Sequence, residues 1–426
     1  MRTSTLSVDV AVVGASLAGC TTARLLAREG LTVALIEKHS DPNAYKRLCG
    51  HFILASATPV IRRLGLAEAI EAAGGVRNGV DFWTRWGWIE PRPEPGGEEA
   101  FGYSIRRSKL DPMIRRLAIE TPGVTYLGGT AAVELLERDG RIAGVVGRDR
   151  RGSELSIRAP LVVAADGRNS AVAKLAGARA RTRPNERFCY MAYFTGIERR
   201  PDNRGWFWTL ERDVVIVAPN DGGITLVAMF PHKTHLAAFK AGREAAFEAM
   251  LESVPERPSL AQARRVSKLV GYTDYPIITR PPVPRRGLAL VGDAALSMDP
   301  VFAVGCGWAL QSASWVVDAA APALGGSEPL DRALRRYAAE HRRRLRGHAR
   351  VLSDGARAKE APLPVRAMLA AAVRDPDTAR RFEDFATRSI PVRRFLAPSA
   401  LARAAVVNLR HRTGRTRGAR DPIGAT

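Results

Sequence analysis

Three well-separated segments carry the residues able to do chemistry. In the first, Val12-Val13-Gly14-Ala15-Ser16-Leu17-Ala18-Gly19, a glycine turn follows a β-branched run and precedes a helical pattern. Such a turn presents free N–H groups and the positive end of a helix dipole to an anion, here a pyrophosphate. Gly14 permits the turn, and Gly19 lets the helix pack closely on the strand. Ser16 stands where a middle glycine is usual and brings a hydroxyl, while Ala15, Leu17 and Ala18 complete the loop. Glu37, followed by Lys38, closes the next strand 23 residues after Gly14, which suits a carboxylate holding ribose hydroxyls and argues against a 2′-phosphate. One fingerprint accounts for one dinucleotide.

The second segment, Val162-Val163-Ala164-Ala165-Asp166-Gly167-Arg168-Asn169-Ser170, follows an apolar strand. The third is Leu290-Val291-Gly292-Asp293-Ala294-Ala295, then Asp299-Pro300 and Gly305-Cys306-Gly307. Asp293 comes directly after a buried strand and needs a polar partner. Gly305 and Gly307 flank the start of a long helix, whose N-terminus would stabilise negative charge on a ligand.

In this order and spacing the segments resemble the FAD-dependent aromatic hydroxylases, the group A flavin monooxygenases, with geranylgeranyl reductases and flavin-dependent halogenases as cousins. The resemblance covers Val8 to about Ala320. It implies bound FAD, with NADPH or NADH as a transient electron donor and O2 as co-substrate. It places Asp166 and Gly167 against the cofactor, Gly292 and Asp293 at the ribityl chain, and Pro300, Gly305, Cys306 and Gly307 around the ring. Arg107, opening the Arg107-to-Leu110 pattern, and Arg47, in the loop after the second strand, match flavin-contacting arginines. Lys46 and Cys49-Gly50 are similar to the loop of the reductase branch, so a reductase or dehydrogenase is the alternative reading. Gly205-Trp206-Phe207-Trp208 and Asp299-Pro300-Val301-Phe302 echo halogenase motifs. However, Thr209-Leu210 stands where those enzymes have Ile-Pro, and residues 47 to 108 contain no lysine before Lys109. Gly292-Asp293-Ala294-Ala295-Leu296 also departs from the hydroxylase pattern, which has histidine at the last position.

The expected fold is α/β. A Rossmann-like FAD-binding domain is interrupted by a β-sheet substrate domain and followed by a helical C-terminal region. The FAD-binding parts are expected at 1–79, 105–180 and 280–325, a hairpin at 80–104, the substrate sheet at 181–279, and the basic helical region at 326–426 with a disordered tail from Arg415. The pattern predicts helices over Pro59–Ala73, Leu110–Thr121, Thr234–Glu252, Ser259–Arg264 and Val304–Leu324, and a strand over Tyr272–Thr279. A strand-rich, aromatic stretch runs from Phe188 to Phe230. Tyr190, Trp206, Trp208 and Met229 are its candidate substrate wall, with Phe188, Tyr193, Trp83, Trp86 and Trp88 beside them, and flat aromatics suit a planar or polycyclic small molecule.

The net charge of +22 does not make this a nucleic-acid binder. With eight lysines against 57 arginines, the excess reads as coding bias. The densest run, His341-Arg342-Arg343-Arg344-Leu345-Arg346, is expected to be a solvated helix face. An anionic substrate, an acidic carrier protein or a membrane surface are its other uses. Apolar runs fall short of the roughly 20 residues of a membrane span, and the polar start makes a cytoplasmic location the expectation. Cys20, Cys49, Cys189 and Cys306 lack metal-ligand spacing and read as free thiols. The expected partners are a small-molecule substrate and O2, with a flavin reductase or carrier protein as further candidates. Substrate identity and oligomeric state are not written in the chain.

Overall fold

The structure is a computed structural model and describes residues 4–92, 101–200 and 202–418, with side chains to 411. Most of the proline- and glycine-rich loop after Pro91, and the end of the expected disordered tail, lie outside the described residues.

Among the described residues, five strands form a parallel sheet in the order Leu288–Leu290, Leu161–Ala164, Val10–Val13, Val33–Glu37, Val124–Gly128. The central strands are short and almost wholly apolar, and such strands must be covered on both faces. The helices Leu17–Arg28 and Val304–Leu324 cover one face, and a meander of Ala131–Arg138, Arg141–Arg148 and Glu154–Arg158 covers the other. The three chemical segments therefore meet at the C-terminal edge of neighbouring strands, where open α/β sheets bind ligands.

A larger, mostly antiparallel sheet follows the order Arg264–Arg265, Cys189–Thr195, Thr225–Phe230, Asp213–Pro219, Gly205–Leu210, Val80–Thr84, Gly87–Ile89. The early hairpin joins it through a parallel pairing of Gly205–Trp208 with Val80–Trp83. Helices Leu236–Ala241 and Arg243–Glu252 pack on its back.

Several predicted elements are shorter or different. The Pro59–Ala73 helix breaks at Gly65, whose φ of 71° is left-handed, into Thr58–Leu64 and Ala67–Ala72. Gly242 likewise divides Thr234–Glu252. Pro276 splits Tyr272–Thr279, because a proline cannot donate to a ladder. Ser259–Arg264 is not a helix: it is turn and coil entering the edge strand Arg264–Arg265, since Ser259-Leu260 follows Pro258 and has no apolar stripe to bury.

The C-terminal region folds as the helices Leu330–Gly355, Leu363–Ala372, Pro376–Ala386, Val392–Phe395 and Pro398–Gly418. In the first, Leu334, Tyr337, Ala338, His341, Leu345, His348 and Leu352 recur at helical spacing and are buried. The Tyr337 hydroxyl donates to the Leu290 carbonyl at 2.6 Å, tying this helix to the parallel sheet. Arg342, Arg343 and Arg344 lie on the opposite, exposed face, where Glu340 pairs with the last two. The later helices reach the large sheet, where Phe382 meets Phe82 edge-on at 4.9 Å between centroids and the Arg204 guanidinium holds Glu383 at 2.8 Å. No helix of the described residues is long and apolar enough to cross a membrane.

Candidate active site

One continuous cavity of about 1530 Å³ runs from the glycine turn across the front of the large sheet to the C-terminal helices. Ala15, Ser16, Leu17 and Ala18 line its first end with Gly14. Gly14 has φ 103°, and a Cβ there would lie 2.6 Å from the Ala165 carbonyl oxygen, so this turn takes only glycine. Gly19 serves packing instead: its Cβ would fall 1.7 Å from the Gly14 carbonyl oxygen. Glu37 is buried and accepts the backbone N–H groups of Ala15 and His39 at 2.8 and 3.0 Å, fixing the turn against the strand end while each oxygen keeps a second lone pair. Lys38 and Arg47 are exposed on the cavity rim.

Arg107 is buried at the centre of the site. Its guanidinium is held by Asp111 at 2.6 and 3.0 Å, donates to Ser16 Oγ at 2.8 Å, and lies 3.7 Å from both Cys49 Sγ and Cys306 Sγ. Those two sulfurs are 3.7 Å apart although 257 residues separate them. The hydrogen bond with Cys306 holds the Cys49 thiol below the usual thiol range, against its burial and with the Arg107 charge assisting.

Asp166 and Gly167 line the cavity, and Asp166 Oδ1 is buried without a hydrogen-bond partner among the described residues. Asp293 pairs with Lys46 at 3.1 Å through Oδ2. Its Oδ1 lies against Gly305, in the first turn of Val304–Leu324. Pro300, Gly305 and Cys306 reach the cavity, whereas Gly292 and Gly307 are buried backbone behind it. A glycine cradle, an orphaned buried carboxylate oxygen, two further acids for hydroxyls and a helix N-terminus fit an FAD in donor set and size.

The large sheet corrects the expected substrate wall. Tyr190, Trp206, Trp208 and Met229 point to the back of the sheet and pack with Phe188, Phe239 and Phe247 beneath the two covering helices. Trp83 and Trp88 do the same, both donating their indole N–H to Glu256. The strand alternation puts their neighbours on the cavity side: Met191 opposite Ala228, and Phe207 opposite Ile216, with Leu226 and Phe230 beside them. Of the aromatic residues proposed on these strands, Tyr193 faces forward.

One residue, His51, escaped the sequence reading. His51, in the left-handed region with φ 58°, lines the cavity beside Cys49. Its Nδ1 accepts the Arg107 N–H at 3.0 Å, so Nε2 carries the proton and donates to the Tyr193 hydroxyl. Burial lowers the imidazole pKa and keeps it neutral. The one available signal was proximity to Cys49-Gly50, and nothing local pointed to its pairing with Tyr193, 142 residues away. The lysines on the cavity wall are Lys38, Lys46 and Lys359 among the described residues.

Residues 7–351 match the family described as FAD binding domain. Among curated proteins, the chain is 25% identical over 342 residues to a 1H-pyrrole-2-carbonyl-[peptidyl-carrier protein] brominase of Pseudoalteromonas luteoviolacea, covering 76% of this chain and 79% of that one. It is 27% identical over 379 residues to a phenazine 1,6-dicarboxylic acid hydroxylase of Lysobacter antibioticus, covering 80% and 88%. A digeranylgeranylglycerophospholipid reductase of Methanothermobacter thermautotrophicus is 25% identical, with 80% and 84% covered. Of solved structures, a flavin-dependent brominase superposes with TM-score 0.73 at 19% identity, over 96% of this chain and all of that one, a likeness of fold.

Proposed function

The chain belongs to the FAD binding domain family. From that premise we propose that it is an FAD-dependent monooxygenase that hydroxylates or epoxidises an aromatic or polyketide-like small molecule, with NADPH or NADH as electron donor. The carrying observation is the single cavity that joins the glycine turn to the apolar front of the large sheet. A ring held at one end and a substrate at the other would share one space. When bound and reduced, FAD supplies the O2-activating chemistry. The chain's own part is to hold, orient and exclude water. The Gly14–Ala18 turn, Glu37, Asp166 and Asp293 would hold the cofactor, with Arg107 fixing the turn through Ser16. Phe207, Ile216, Met191 and Phe230 form the wall that orients a planar substrate. His51 and Tyr193 form a neutral pair able to hold or move a proton at a substrate oxygen.

Halogenation, the activity of a brominase and a chlorinase among the relatives, fits less well. Lys46 is tied to Asp293, Lys359 sits exposed on the linker between two C-terminal helices, and residues 47 to 108 hold no lysine. A reductase is the second reading, favoured by the convergence of Cys49 and Cys306 beside Arg107. The test is oxygen uptake by the FAD-loaded protein with NADPH and a panel of aromatic compounds. Uptake coupled to an oxygenated product supports monooxygenation. Turnover that proceeds anaerobically supports the reductase, and a product that forms only with halide supports the halogenase.

A further inference from the structure

The cavity's far end holds a cation, Arg388, with no ion-pair partner among the described residues. Arg388 lines the cavity just past the end of Pro376–Ala386. It occupies the position where glycine is usual after a helix: its φ is 66°, and the chain around it closes with Ser389 N–H donating to the Asp384 carbonyl at 2.8 Å. A left-handed arginine costs about 1 kcal/mol against glycine, so the position keeps a side chain despite strain.

That side chain donates from Nη1 to the Phe385 carbonyl at 2.9 Å, and its guanidinium lies 5.5 Å from the Phe385 ring centre. Nε is buried and has no hydrogen-bond partner among the described residues. None of their carboxylates is in ion-pair range. Glu383 pairs with Arg204, and Asp384 senses Arg394 and Arg381 instead. The adjoining His348 stacks on Phe385 and donates from Nε2 to the Ile390 carbonyl at 3.0 Å, and burial lowers its pKa to about 4, so it is neutral near pH 7 and supplies no counter-charge. Burial lowers the Arg388 pKa to about 10, which leaves the guanidinium charged near neutral pH. A half-buried cation without an acid beside it is left underpaired unless an anion arrives with the ligand. Nη2 makes no hydrogen bond among the described residues, and it is the donor left for a carboxylate on a ligand.

We propose that Arg388 is the carboxylate subsite of this cavity and that the substrate is an aromatic or polycyclic acid. Its apolar body lies between the front of the large sheet and Phe382 and Phe385, and its carboxylate takes the Arg388 Nη2 donor. This rests on the monooxygenase reading only in calling the ligand a substrate. A free acid, rather than a carrier-bound thioester, follows from the chemistry, since a thioester has no anion to offer at the carbonyl.

The test is calorimetric titration of the FAD-loaded full chain with matched pairs: benzoate and benzamide, 2-naphthoate and 2-naphthamide, 9-anthroate and its amide. Pantetheine 4′-phosphate serves as the phosphate arm. The expected result is at least one acid binding about 10- to 100-fold tighter than its amide, the preference being abolished in R388M and partly kept in R388K. No acid preferred over its amide, a preference that survives in R388M, or tighter binding of the phosphate would each overturn the proposal. Should R388M fail to fold, the wild-type acid-to-amide ratio together with R388K decides. Binding is read without O2, so acid binding through Arg388 in a protein that consumes no oxygen would refute the reaction and leave the subsite standing.

Discussion

The two faces of the large sheet are built from the same strands, yet they meet different fates. On the back, Trp208 and Met229 are fully buried, and Trp206 and Phe188 complete a core under Leu236–Ala241 and Arg243–Glu252. On the front, Phe207 and Ile216 keep partial exposure and look into the cavity, with Met191 and Ala228 beside them. Both faces are apolar. The back is large and aromatic because two helices must be met by side chains that fill the gap. The front is more aliphatic because the space before it is left for a ligand. Aromatic richness therefore marks where the protein fills its own interior, and the adjacent register marks where something else enters.

The largest effect expected from this contrast is on the back. Trp208→Ala should cost about 3–5 kcal/mol of unfolding free energy, read by urea denaturation, while the purified variant keeps the ligand affinity of the wild type per folded molecule. If Trp208→Ala instead weakened ligand binding at unchanged stability, the two faces would have been assigned the wrong way round. On the front, Phe207→Ala and Ile216→Ala should each change stability by less than about 1.5 kcal/mol, since they border space rather than a packed layer. Each should weaken binding of a planar aromatic ligand by about 10-fold, which calorimetry reads directly.

The C-terminal helices repeat the contrast in charge. His341 and His348 are buried on the packed side of Leu330–Gly355, and burial lowers both to about 4 from an ordinary 6.5, with neighbouring Arg342 and Arg388 charges adding to the shift. The folded state thus binds fewer protons than the unfolded one, so their contribution is complete above pH 6.5 and is lost as pH falls toward 4. His341→Gln and His348→Gln should each flatten the acid limb of the stability–pH curve by about 2 kcal/mol. An unchanged acid limb in both variants would contradict the assignment. The smallest effect belongs to the exposed face of the same helix. Glu340→Gln removes the partner of Arg343 and Arg344 and should shift stability by less than about 1 kcal/mol.

Much of the nucleotide half was legible in the chain because its physics is local. The turn at Gly14, the acid at Glu37 and the helix start at Gly305 are each specified by a few adjacent residues. The substrate half was not, for a reason of parity. Strand side chains alternate with period two, so a one-residue choice sends a whole set to the opposite face. When both faces are apolar, the pattern around Trp206-Phe207-Trp208 does not say which set is inside. The approach of His51 to Tyr193 and of Cys49 to Cys306 depends on packing between distant segments, and neither residue in a pair announces the other. The amphipathic stripe of Leu330–Gly355 was readable as a helix, but its role in leading the later helices over the cavity depends on what it packs against. Arg388 looked like one arginine among 57 until its surroundings were known.

The most direct measurement of the central claim is the mass of the product formed by the FAD-loaded enzyme with NADPH, an aromatic acid and 18O-labelled O2. The account predicts a product carrying one labelled oxygen atom, with oxygen consumed in step with it. A reduced or halogenated product, or an oxygenated one whose oxygen comes from water, would contradict it.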